Sequence, residues 1–394
     1  MAKNQKSIWK AVLFALVMGG AGLALGYFSA TYLKSALPLN LIGPPSSAAL
    51  PLYIAIGFFA AWLSIAFHEL GHLTAGLLQG FRMALYVAGF LGVRGTANGV
   101  RVYLNRNAAL MGGIAATVPQ TFERGQDLRL KFVRIVAAGP LASLLLSVIA
   151  GTAFYAIFSQ PVETSVSLTV RALGFMLLLT GAISGLIFIA TLIPTRSGGF
   201  MSDGARLISL LSKGENARYE EANLAITAML GAGKLPGDYP ADMLARLLTR
   251  APDNLLGLNG HYFAFTHHLD RGETKKAWPL AQAIQTHIDA IPGPFQAHYL
   301  KDVVFFYAFL AEDRDAAQAC WASIQKAAEK APDAATFRVK AALALLENDV
   351  EQAKDFAEKG MAKLADLPFE GQRNFELKWL QAVLMKAHQV PEIA

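Results

Sequence analysis

Residues 48–72 read AALPLYIAIGFFAAWLSIAFHELGH, and the last five letters decide how the rest of the chain is understood. Ala48–Phe67 carries no charge and is long enough to cross a bilayer, which takes about 20 apolar residues as helix. The run then meets His68, Glu69 and His72 before continuing apolar to Phe81. An ionisable group at the bilayer centre costs on the order of 2.5–3.5 kcal/mol on insertion scales, so three such groups in five residues need a partner. His68-Glu69-Leu70-Gly71-His72 is the H-E-x-x-H pattern. On a helix, residues i and i+4 share a face, so both imidazoles can grip one metal ion, and zinc is the ion this pattern serves. Glu69, one step round the helix, is placed to take a proton from an attacking water rather than to ligate.

Working outward, three further stretches are long enough to span: Ala11–Leu33, Ile135–Pro161 and Ala172–Thr195. The first follows Lys3, Lys6 and Lys10. Its apolar run exceeds the roughly 7–15 residues of a signal-peptide core, so it reads as an uncleaved anchor. The segment between the second and third spans holds Arg82, Arg94, Arg101, Arg106, Arg124, Arg129, Lys131 and Arg134, and Arg196, Arg206 and Lys213 follow the fourth. Excess Lys and Arg mark cytoplasmic flanks, so both termini and the 82–134 segment are expected in the cytoplasm. Lys34 and Arg171 are single exceptions.

Composition agrees with a membrane half joined to a soluble half. Hydrophobic residues make up 54% and charged residues 16%, against about 25% charged in ordinary soluble domains. This excludes a typical soluble enzyme and a disordered chain. The single cysteine, Cys320, excludes a disulfide framework, a Cys-based zinc finger and a Cys-ligated iron–sulfur cluster. Residues 1–200 hold 14 basic against four acidic side chains, whereas residues 201–394 hold 21 against 25. The second half offers no basic stripe for nucleic acid.

Within 82–134, Ala84–Val93 and Val100–Leu104 are β-branched and aromatic-rich and flank Gly95-Thr96-Ala97-Asn98-Gly99, which reads as a β-hairpin. The hairpin either dips into the interface or forms a structured cytoplasmic loop. In lipid its edges would have to face protein, water or a bound peptide. Asn107–Phe122 is apolar, contains Gly112 and Gly113, and is too short to span.

A catalytic zinc usually has three protein ligands and an open position. No third histidine stands in the membrane half, Cys320 lies in the soluble half, and Glu163 falls on the opposite side of the membrane. Glu123 and Asp127 sit in a charged run with Arg124 and Arg129. This leaves Asp203 in Gly198-Gly199-Phe200-Met201-Ser202-Asp203-Gly204, whose glycines permit a tight return. Asp203 also stands where it could cap a helix over Ala205–Leu211, as could Ser202.

These residues resemble the site-2 protease family of intramembrane zinc metalloproteases over roughly residues 48–211. The resemblance rests on His68, Glu69 and His72. It rests also on Ala138-Gly139-Pro140-Leu141-Ala142-Ser143, similar to the family's Gly-Pro-x-x-Asn, and on Thr191-Leu192-Ile193-Pro194 leading to Ser202-Asp203-Gly204, similar to its Asn-x-x-Pro followed by Asp-Gly. It implies Asp203 as the third zinc ligand, Glu69 as the catalytic carboxylate and a site open to the cytoplasm. Ser143 and Thr191 stand where the family has asparagines that hold substrate or stabilise the oxyanion, and Pro194 to Asp203 is longer than the usual gap. Read for structure alone, Gly139 and Pro140 give close helix packing and a kink, and Pro194 ends the fourth span.

From Ala205 onward the pattern is helical hairpins. His268–Ala277, Leu310–Ala317 and Leu346–Ala353 each combine an apolar helix end, a polar turn and an Ala-rich helix. They recur at roughly 36–42 residues, somewhat longer than the tetratricopeptide period of about 34, so the resemblance to such repeats is partial. Pro252, Pro292 and Pro332 punctuate the units. Such stacks either present a groove to a peptide or partner or only stabilise the membrane half. His267 and His268 do not share a helix face and read as a surface turn.

The expected fold is therefore an α-helical polytopic membrane protein with about four transmembrane helices and a membrane-associated β-hairpin, followed by an all-α helical-repeat soluble domain. Its divisions are an anchor and outer loop (1–47), a metalloprotease core (48–211) and a cytoplasmic tetratricopeptide-like domain (212–394). The expected activity is zinc-dependent hydrolysis of peptide bonds in or near the transmembrane segments of membrane-anchored substrates, with the 84–104 hairpin clamping substrate by strand addition. The partners are that substrate, the bilayer and a peptide or protein on the helical repeats, and the location is a bacterial inner membrane. The competing reading is an inactive scaffold of the same fold acting through its repeats.

Overall fold

The computed structural model describes residues 39–121, 127–158, 166–197, 200–291 and 293–389. The expected first span, Ala11–Leu33, and the Glu123 and Glu163 positions lie outside them. Three described helices are long and apolar enough to cross a membrane. They are α1 (Leu50–Leu78), α2 (Leu128–Phe158) and α3 (Leu168–Leu192). At 1.5 Å per residue, the 29 residues of α1 extend about 43 Å, longer than a hydrocarbon core, so the helix carries its H-E-x-x-H motif in its second half.

Contacts divide the chain into two units. In the described part of the first, 39–61 and 147–183, Ile42, Phe154 and Phe158 form a small apolar core. Tyr53 packs on Phe175, its hydroxyl donates to the Gly43 carbonyl at 3.1 Å, and Ser147 donates to the Gly181 carbonyl at 2.8 Å.

The second unit, 62–146 and 184–394, holds everything that bears on chemistry. After α1 comes a four-stranded antiparallel sheet, β1 (Phe81–Ala88), β2 (Leu91–Thr96), β3 (Gly99–Leu104) and β4 (Ile114–Pro119), in the order β3-β2-β1-β4. The expectation of one hairpin is corrected in two places. The run 84–93 is not a single strand: Gly89, at φ +57°, turns the chain so that Ala88 faces Leu91. Ile114–Pro119, within the stretch read only as apolar, is a fourth strand on the far side of β1, pairing Phe81 with Pro119 and Val87 with Ile114. The tip of the β1–β2 turn runs along α1. Trp62 donates to the Ala88 carbonyl at 3.0 Å, and Tyr86 donates to the Ala66 carbonyl at 2.8 Å. Trp62 is six residues before His68, about 9 Å along the helix axis, so the sheet reaches past the motif.

Beyond α3, a two-residue ladder of β5 (Arg196–Ser197) and β6 (Phe200–Met201) leads into α4 (Asp203–Leu211). α5 (Glu215–Gly231) and α6 (Ala241–Leu247) follow. Three helical hairpins come next: α7/α8 (Leu255–Asp270, Thr274–Thr286), α9/α10 (Gly293–Phe305, Arg314–Glu329) and α11/α12 (Ala334–Leu346, Val350–Ala362). α13 (Glu370–Gln389) closes the described chain. The three hairpin turns match one another. Gly272, Glu312 and Asn348 all have left-handed φ, +67°, +52° and +60°, and each is followed by an acid, Glu273, Asp313 or Asp349, at the cap of the next helix. Asp313 and Asp349 accept from the N–H groups of Ala316 and Gln352, the bond an N-cap supplies. Between the hairpins, buried Arg338 of α11 bridges Glu376 of α13 (Nε to Oε2, 2.7 Å) and Asp302 of α9.

The helical region adjoins the sheet. The Ala97 N–H donates to the Ala365 carbonyl at 3.0 Å, Arg101 lies 3.8 Å from Asp366, and a Cβ on Gly231 would lie 2.0 Å from the Pro119 carbonyl oxygen. The edge of β4 is thus closed at its Pro119 end by α5.

Candidate metal centre

The helical spacing of H-E-x-x-H brings His68 and His72 onto one face of α1, with their Nε2 atoms 3.2 Å apart. Asp203 comes to the same point from α4. Its Oδ2 is 3.2 Å from His68 Nε2 and its Oδ1 is 3.4 Å from His72 Nε2. These three side chains form a group able to hold a metal ion. A tetrahedral zinc with ligands at 2.0–2.1 Å would separate them by about 3.3–3.4 Å, so the observed spacing and the N,N,O donor set both fit that ion.

Local sequence explains how Asp203 arrives. α3 ends at Leu192 and the chain returns through the β5–β6 ladder, which takes up the extra length between Pro194 and Asp203. Ser202 clasps the return: its hydroxyl donates to the Ile193 carbonyl at 2.7 Å and accepts from the Thr195 N–H at 3.0 Å. The same oxygen caps α4 by accepting from the Ala205 N–H at 3.3 Å. Ser202 is therefore the cap, and Asp203, in the first turn, is released toward the histidines. Gly204 allows the close approach, since a Cβ there would sit 1.9 Å from the Leu192 carbonyl oxygen.

α2 supports the two imidazoles from one side. Ile135, Gly139 and Ser143 follow one another at four-residue steps and so share a face. His72 Nδ1 lies 2.9 Å from the Ile135 carbonyl oxygen, and His68 Nδ1 lies 2.9 Å from Ser143 Oγ. A Cβ on Gly139 would be 2.1 Å from His72 Nε2, and one on Gly71 would be 2.5 Å from the Ala138 carbonyl oxygen. The helix-packing reading of Gly139 thus takes a specific form: the neighbour it admits is the His72 ring.

Glu69 is buried beside the cluster and meets the start of β4. The Ala115 N–H faces its carboxyl, and a Cβ on Gly113, where φ is +100°, would lie 2.5 Å from Glu69 Oε1. Nothing in the sequence pointed to Gly113 or Ala115, because their role depends on β4 pairing with β1.

The two positions that replace the family asparagines differ in placement. Ser143 is completely buried and engaged by His68. Thr191 bonds within its own helix, Oγ1 to the Phe188 carbonyl at 3.4 Å, and among the described residues no hydrogen bond joins it to the cluster. His267 and His268 lie apart from it: His267 Nδ1 meets the Pro236 carbonyl at 2.9 Å and His268 Nδ1 meets Glu273 at 2.6 Å.

No curated protein matches the chain, and no solved structure does. The family model of peptidase family M50, the site-2 protease family, matches residues 56–356, more than half of the chain, and takes in His68, Glu69, His72 and Asp203 together. The chain belongs to peptidase family M50, a family of membrane metalloproteases.

Proposed function

We propose that this protein is a zinc-dependent intramembrane endopeptidase that hydrolyses a peptide bond within or beside the transmembrane segment of a membrane-anchored protein. The observation that carries the reading is the meeting of His68, His72 and Asp203 at tetrahedral-edge distances next to the buried Glu69. His68, His72 and Asp203 hold the ion. When bound there, zinc supplies Lewis-acid polarisation of the scissile carbonyl and acidification of the attacking water. Glu69 takes the proton from that water and passes it to the leaving amine.

A substrate helix has to unwind to offer its backbone. Among the described residues the outer strands of the sheet are β3 and β4, and β4 is the one beside Glu69. Strand addition to β4 between Ile114 and Thr117 would draw the peptide past that carboxylate, which moves the clamp from the 84–104 hairpin to the strand beyond it. The charge distribution supports cytoplasmic termini, and the family resemblance supports a site open to the cytoplasm in a bacterial inner membrane. The helical hairpins lie on that side, available to a peptide or protein partner.

Glu69→Gln keeps the shape and removes the base. The expected result is cleavage slowed by about 10²–10⁴-fold, full-length membrane-anchored substrate accumulating in cells, and zinc content unchanged in the purified variant. Wild-type cleavage by Glu69→Gln contradicts the mechanism.

A further inference from the structure

Ser143 stands where the family resemblance puts a residue that contacts substrate, yet its surroundings point elsewhere. The side chain has no exposure, so it presents nothing to an incoming carbonyl, and its hydroxyl lies 2.9 Å from His68 Nδ1. We propose that Ser143 is a positioning residue for the metal ligand His68, acting on zinc affinity and not on the oxyanion. The inference rests on the metalloprotease reading.

The argument is one of proton placement. A neutral imidazole carries one proton, and only a ring protonated on Nδ1 leaves Nε2 free to ligate. Both Nε2 atoms face the cluster here. For His72 the matter is fixed by the backbone: a carbonyl oxygen can only accept, so Ile135 holds the proton on Nδ1. For His68 the partner is a hydroxyl, the one partner of the pair that a side-chain substitution can remove. With Ser143 Oγ accepting from Nδ1–H, His68 takes the same tautomer and ring orientation as His72. The four-residue step from Gly139 to Ser143 aligns the two supports, so one face of α2 seats one ring against Gly139 and orients the other through Ser143.

Partners that hold the second nitrogen of a metal-bound histidine typically contribute 10–100-fold to metal affinity. The test is zinc affinity of the detergent-purified full chain, by competition with a chelating dye, for wild type, Ser143→Ala and Ser147→Ala. Ser147 lies one turn further along α2, is partly buried and bonds the Gly181 carbonyl instead, so it controls for loss of a hydrogen-bonded serine in that helix. The expected result is about 10–100-fold weaker zinc binding for Ser143→Ala and no change for Ser147→Ala. Cobalt(II) substituted for zinc provides a second readout. At saturating cobalt, Ser143→Ala is expected to reach the wild-type visible absorption spectrum, since the ligands remain and only their orientation is loosened. Equal affinities for wild type and Ser143→Ala overturn this inference alone, as does an equal loss in Ser147→Ala. A wild type that binds no zinc overturns the metalloprotease reading and this inference with it.

Discussion

Gly139 shows how closely single positions are constrained around the metal centre. The His72 ring occupies the space in which a Cβ at 139 would stand, 2.1 Å from Nε2. Helix α2 also packs closely on Gly71 beside that point, which leaves the ring as the part that has to move. Gly139→Ala is therefore expected to abolish stoichiometric zinc binding while leaving the helical content intact. Zinc analysis alongside far-ultraviolet circular dichroism checks both halves of that statement. Retained zinc in Gly139→Ala would mean that the ring has another place to sit. Of these contacts, the pairing of His68 with His72 is legible in the sequence, because i and i+4 spacing in an uncharged run is a local signal, whereas Asp203 is reached only by elimination. Ser143 and Gly113 were not legible in their observed roles, since each acts on a residue of a different element.

At the scale of elements, what could be read ahead followed from local pattern, and what could not depended on distant pairing. The three described spans are each built around an uncharged run of helical length, and the hairpin turns of the helical region each show Gly, Glu or Asn followed by an acid. β4 was hidden because Ala115 and Ala116 carry little strand preference and its partner, β1, is remote in sequence. The expected first span, Ala11–Leu33, falls outside the described residues. Within the helical region, Asp333 caps α11 and joins α9, its carboxylate oxygens 2.5–2.6 Å from Lys301 Nζ. Burial pushes the Asp333 carboxyl up, but Lys301 and Thr336 outweigh it and bring it down to about 2. A carboxyl lower in the folded than in the unfolded chain, where about 3.9 is ordinary, adds stability above that value and loses it as pH falls toward about 2. Asp333→Asn is thus expected to lower stability at neutral pH and to flatten the acid limb between about pH 4 and 2, followed by denaturant unfolding at several pH values. An acid limb as steep as wild type would place the titration elsewhere.

For the whole molecule, the sheet and the helical region share one unit with the candidate metal centre, so the site and its surroundings are built from the same packed body. On the proposed topology, Arg82, Arg94 and Arg101 on the sheet and Arg129, Lys131 and Arg134 at the start of α2 would face the cytoplasm. A reporter enzyme active only outside the cytoplasm, fused after Ala394, is expected to be inactive. The same reporter inserted in the uncharged loop between Ser35 and Leu50 is expected to be active. The reverse pattern would invert the topology and with it the side from which substrate tails are reached.

The measurement that bears most directly on all of this is zinc per chain in detergent-purified protein, wild type beside Asp203→Ala. One zinc per wild-type chain, lost or strongly weakened when Asp203 is replaced, is the result that the His68–His72–Asp203 geometry predicts. No zinc in wild type supplied with the metal and purified without chelator, or equal zinc in both proteins, would contradict it.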